Sequence, residues 1–110
     1  MMEPTGPVLL FDEDGRLFIL SDPALVSDLI DTADEFFEGY DGHGHPLRAH
    51  GAPRSVELAL ITKEVHEERV RKRVERYYSV FAARHPTRVP PQKADLSAFI
   101  EAVAADLIEE

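Results

Sequence analysis

The chain has no cysteine, no long apolar run and, across its first 41 residues, almost no positive charge. Without cysteine there are no disulfides, thiolate zinc sites or cysteine nucleophiles, and the composition suits the reducing cytoplasm. The longest apolar runs, VLLF and LFIL, are far shorter than a membrane span, so no membrane association is expected. MMEPTGP carries neither a basic n-region nor a long apolar core, so no secretory signal is expected either. A phosphate-cradling loop is missing as well: GYDGHG has no P-loop lysine and no helix behind it. The serines at 21, 27, 55, 79 and 97 are scattered, and none sits in a nucleophile elbow. A non-enzymatic protein is therefore expected, with no cofactor.

The 110 residues suffice for one domain with one core, led by a flexible stretch over residues 1–6. Acids outnumber bases 21 to 12, and they are unevenly placed. Residues 1–41 hold eleven acids and a single base, Arg16. Residues 42–93 hold eleven bases against five acids, and residues 94–110 five acids and no base. An overall excess of acid disfavours nucleic acid as a partner, although the central segment alone would attract phosphate.

Two stretches share a pattern. FDEDGRLF (11–18) and YDGHGHPL (40–47) both read aromatic, Asp, two residues, Gly, two residues, apolar. In the first, Asp14-Gly15 lies between VLLF and RLFIL, a strong hairpin signal. The second predicts another hairpin with Gly44 in the place of Gly15. Between them, Asp22 as N-cap and Pro23 at the first helical position predict a short helix over 23–31 with Leu25, Val26, Leu29 and Ile30 on its apolar face. SVELALITKEV alternates with Val56, Leu58 and Leu60 on one side, which predicts a strand.

From residue 66 the period changes. Val70, Val74, Tyr77, Tyr78 and Phe81 form the stripe of an amphipathic helix over 66–84, opposite Arg69, Arg71, Lys72, Arg73 and Arg76. Pro86, Pro90 and Pro91 break it, and Asp95 caps a last helix with Leu96, Phe99, Ile100, Val103 and Leu107 on one face. The order β-β-α-β-β-β-α-α implies an α+β domain: an antiparallel sheet of about five strands packed against a short helix and two C-terminal amphipathic helices. The first two strands are apolar on both faces. Either other elements cover both faces of the sheet there, or one face meets a partner, a second copy included.

Three chemical readings compete. His43 and His45 fall on the same side of a strand, and Asp41 or His66 would complete a metal site. A solvated hairpin tip accounts for the same residues, and no metal is expected. The basic helix would suit phosphate, yet Glu67 with Arg71 and Glu68 with Lys72 make it a self-paired, solvated face. The acids Asp28, Asp31, Asp34, Glu35, Glu38 and Asp41, interleaved with Phe36, Phe37 and Tyr40, suit a cationic protein partner, with Tyr40 as anchor.

A compact, acidic, cysteine-free domain with paired aromatic-Asp-x-x-Gly hairpins and late helices resembles, over residues 7–110, the small immunity proteins of bacterial polymorphic-toxin systems. That resemblance implies inhibition by occlusion, an acidic face covering the active site of a toxin domain. Two other functions fit the same sequence: a nuclease-like or nucleic-acid-binding protein using the 66–84 helix, and a homodimeric accessory protein that hides the two-sided strands.

Overall fold

The computed structural model describes residues 3–80 and 90–108, with the side chains of the last two positions left out. Phe81, Pro86 and the side chain of Leu107, each part of an expected pattern, lie outside the described residues.

The chain is a mixed α+β domain with antiparallel sheets. Five strands form: β1 (Val8–Phe11), β2 (Leu17–Leu20), β3 (Glu38–Tyr40), β4 (Leu47–His50) and β5 (Glu57–Leu60). Between β2 and β3 lie a 3-10 turn (Pro23–Leu25), a short helix α1 (Val26–Leu29) and a second 3-10 turn (Ala33–Glu35). Two longer helices follow, α2 (Glu67–Val80) and α3 (Leu96–Ile108).

The strands do not make one sheet. β2-β1-β3 form a three-stranded sheet, and β4-β5 form a separate hairpin. Pro46 explains the break. A single bridge joins Tyr40 to Pro46, and Pro46 has no N–H to carry the ladder on. The Pro46 carbonyl instead accepts from the N–H of Ile61 at 2.9 Å, and β4 pairs with β5 in the register Leu47–Leu60.

This arrangement explains the two-sided strands. On one face of the three-stranded sheet, Leu9, Phe11, Leu17 and Tyr40 pack against Val70, Val74 and Tyr78 of α2 and Leu96, Phe99, Ile100 and Val103 of α3. On the other face, Val8, Leu10 and Leu20 pack against Val26, Leu47, Val56 and Leu58. All four residues of β1 are buried, so the central strand is covered on both faces by the chain itself. Burying each such aliphatic side chain contributes about 1.5–3 kcal/mol. Most of the motive for a second copy disappears with that cover, and only Phe18 of the outer strand stands clear, 40 % exposed.

The shared pattern of residues 11–18 and 40–47 produces the same turn twice. Gly15 N–H donates to the Asp12 carbonyl and Gly44 N–H to the Asp41 carbonyl, both at 3.0 Å. Oδ1 of Asp12 accepts from the backbone of Asp14 and Arg16, and Oδ1 of Asp41 accepts from His43 and His45, all at 2.9–3.0 Å. Gly15 and Gly44 sit at φ of 90° and 86°, which an L side chain rarely adopts. The Asp is thus the organising residue of each turn.

Local capping follows the sequence closely. Asp22 accepts from the N–H of Ala24 and Asp95 from that of Ala98. Arg71 ties the two long helices together: it pairs with Glu67 at 2.9 Å, donates to the carbonyls of Lys93 and Ala94, and lies 4.7 Å over the Phe99 ring. Thr5, within the stretch expected to be flexible, is tied to the second turn. The Thr5 carbonyl accepts from Gly42 at 2.7 Å, and its N–H donates to Asp41.

Candidate functional site

The acids of residues 28–41 divide into those that build the fold and those that do not. Asp41 is a structural residue, 1 % exposed. Its second oxygen meets Nδ1 of His45 at 3.1 Å, and His45 is itself buried. A buried carboxylate is costly unless paired, and the turn N–H groups and His45 supply the pairing. The expected solvated hairpin tip is therefore a turn packed into the protein. Only His43 is exposed there; it is held at 3.1 Å from Ser97 Oγ, while a Cβ at Gly44 would stand 2.5 Å from the Leu96 side chain. The His43 and His45 rings lie 6.1 Å apart, and no metal-binding group forms among the described residues.

Glu38 and Tyr40 also face inward. They stand opposite Phe11 and Leu9 on the helix side of the sheet, where α2 presents two arginines. Arg73 grips Glu38 with two hydrogen bonds of 2.8 and 3.0 Å, and Arg69 adds two of 3.3 Å. The Tyr40 hydroxyl donates to the same carboxylate at 2.6 Å. Burial pushes the Glu38 carboxyl upward, but the hydrogen bonds from Arg73, Tyr40 and Arg69 outweigh it, and the group sits below its ordinary 4.5. Tyr40 moves upward, through burial first and the adjacent carboxylate second. Arg69 moves upward through its bond to Glu38. Tyr40, 1 % exposed and set edge-on to Phe11, is a core residue and not a surface anchor. Glu38 thus has compensating bases after all; they come from α2.

Glu35 has a local task. Its Oε2 accepts from the backbone N–H groups of Asp31 and Thr32, closing the 3-10 turn at Ala33–Glu35. Thr32-Ala-Asp-Glu35 carries the capping-box spacing that signals this in the sequence. Strand alternation would put Phe36, Glu38 and Tyr40 on one face, and Phe36 departs from it because β3 begins two residues later. Its ring packs under Gly39, where a Cβ would stand 3.0 Å from it, and joins the core beyond the sheet.

Three carboxylates remain. Asp28, Asp31 and Asp34 are exposed, and no side-chain partner meets them among the described residues. Their neighbours are unusual. Of the seven large hydrophobic side chains that stand exposed among the described residues, four fall at 18–37 in the sequence: Phe18, Leu25, Leu29 and Phe37, the last 52 % exposed. Leu25 and Leu29, expected on the apolar face of the short helix, stand exposed instead, because α1 is only four residues long and buries Val26 alone.

The cationic side of α2 is largely neutralised. Arg71 pairs with Glu67, Lys72 with Glu68 at 3.0 Å, and Arg69 and Arg73 with Glu38. Among its five bases only Arg76 has no ionic partner among the described residues. No helix of the described residues is long and apolar enough to cross a membrane. Compared with known proteins, the chain matches no family model, no curated protein and no solved structure.

Proposed function

We propose that the protein is a non-enzymatic binding module that inhibits a cationic protein, an immunity-type partner of a toxin domain, through the face formed by residues 18–37. One observation supports this reading: exposed carboxylates with no side-chain partner among the described residues, Asp28, Asp31 and Asp34, share one stretch of chain with the exposed apolar side chains Leu25, Leu29 and Phe37. Unpaired acids accelerate encounter with a basic surface, and apolar side chains provide the contact that persists after encounter. Inhibition then requires no chemistry of its own, only that the covered surface of the partner include its active site.

The test starts from the protein encoded immediately upstream. Its C-terminal domain is expected to arrest growth when expressed alone and to be tolerated with this protein. Asp28→Lys/Asp31→Lys/Asp34→Lys is expected to leave the fold intact and slow association at least about tenfold at low salt, with a smaller effect at high salt. Glu35, Glu38 and Asp41 are unsuitable for this test because their reversal would damage the fold. Wild-type association by the triple variant would place the interface elsewhere, and a neighbour without toxicity would remove the immunity reading.

A further inference from the structure

The carboxylates do not say where a partner would be gripped. A groove of about 200 Å³ lies in the same part of the molecule, between the outer strand of the three-stranded sheet and the segment entering β3. Leu10 and Phe36 are its buried and half-buried parts, and Phe18, Leu29 and Phe37 its exposed ones, at 40, 41 and 52 %. The floor is closely packed: the Leu10 side chain and the Phe36 ring both press on Gly39, where a Cβ would stand 2.7 Å from the first and 3.0 Å from the second. Every charged residue lining the groove is an acid, namely Asp12, Glu35 and Glu38. Glu38 is neutralised by α2, but Asp12 and Glu35 each engage backbone N–H groups through one oxygen only. The other oxygen of each has no hydrogen-bond partner among the described residues. Asp28, Asp31 and Asp34 are sequence neighbours of the lining residues Leu29, Ile30 and Glu35.

We propose that this groove is the anchor pocket of the interface: it receives one large apolar side chain of the cationic partner, and Asp12 and Glu35 take the lysine or arginine that flanks it. The proposal rests on the function given above and adds the element that fixes specificity. Charge complementarity selects the occupant. A second copy is a poor fit, since an acidic chain of net charge −9 repels itself, and an anionic lipid surface or nucleic acid is repelled by the same rim. An exposed aromatic pair over a closely packed floor is the setting in which one apolar insertion dominates binding energy.

Three synthetic twelve-residue peptides serve as probes: one rich in lysine and arginine with a central Leu-Phe, one equally basic without apolar residues, and one apolar and neutral. Binding is read by fluorescence anisotropy and by amide shift mapping of the labelled full chain. The basic peptide with Leu-Phe is expected to bind most tightly, with shifts centred on residues 29–30 and 36–37. Leu29→Asn and Phe37→Ser replace exposed side chains, and each is expected to keep the wild-type thermal midpoint and weaken that peptide at least about tenfold. The basic peptide without apolar residues is expected to bind weakly and to be indifferent to both variants. If Asp28→Lys/Asp31→Lys/Asp34→Lys abolishes binding while Leu29→Asn and Phe37→Ser do not change it, the groove is not the anchor and the acidic face alone acts. If the neutral peptide binds as tightly as the basic one, the pocket is real but the cationic partner is wrong. Concentration-dependent dimerisation lost in Phe37→Ser would instead assign the groove to a second copy and overturn the proposal.

Discussion

Glu38 shows how a residue that advertises itself as surface becomes part of the interior. In sequence it belongs to an acid-rich run with no base nearby. In the fold it collects Arg73, Arg69 and the Tyr40 hydroxyl, and joins β3 to α2. Removing its charge leaves two arginines and a buried hydroxyl with poorer partners, so Glu38→Gln is expected to cost about 2 kcal/mol at neutral pH. The pH dependence has a definite sign. The folded carboxyl titrates below its ordinary 4.5, so the unfolded chain takes up the proton first as pH falls. The stability that Glu38 contributes is fully present above about 4.5 and is lost as pH drops through the lower folded value. Urea unfolding at pH 7 and pH 3 checks this: the gap between wild type and Glu38→Gln should shrink at the lower pH. An unchanged gap would mean that the carboxylate charge is not what the network uses. Asp41 teaches the same lesson more severely, since its buried oxygens organise a turn and hold His45.

At the scale of elements, the sequence announced what depends on local periodicity and capping. The stripe Val70, Val74, Tyr78 of α2, the stripe Leu96, Phe99, Ile100, Val103 of α3, and the caps Asp22 and Asp95 all appear as their spacing requires. The repeated aromatic-Asp-x-x-Gly turn appears twice with the same hydrogen bonds. What stayed hidden depends on contacts between distant segments. Nothing in residues 28–41 shows that Arg69 and Arg73 will arrive opposite Glu38, and strand parity extended backwards from Tyr40 misplaces Phe36 because β3 starts only at Glu38. The surrounding carboxylates likewise made Tyr40 a surface candidate, although its partner on β1 is the fully buried Leu9. For α2 the ion pairs decide the expected behaviour. Four of its five bases are already paired, so few are free to neutralise phosphates and displace the counterions of a duplex. A 20-base-pair DNA duplex titrated at physiological salt is expected to show no binding. Micromolar affinity that falls steeply with added salt would mean that these pairs open to phosphate.

For the whole molecule, the question is why so much unpaired acid is tolerated. Glu35, Glu38 and Asp41 contribute to the fold, whereas Asp28, Asp31 and Asp34 add like charges within seven residues of one another to a chain already at −9. Like charges held together by folding repel more than in the extended chain, so these three should cost stability in the isolated protein. A cationic partner would relieve that repulsion, which links the thermodynamics of the free protein to its proposed function. Asp28→Asn/Asp31→Asn/Asp34→Asn is accordingly expected to melt a few degrees higher than wild type at about 10 mM ionic strength, where screening extends only beyond about 30 Å. At about 1 M salt the screening length falls to about 3 Å and the two midpoints should converge. Calorimetry at both salt concentrations separates the alternatives. A variant that melts higher only at low salt carries the signature of acids kept at a cost to folding. A variant that melts at the wild-type temperature in both would show that the three carboxylates are already accommodated, and the argument that a partner must offset them would fail.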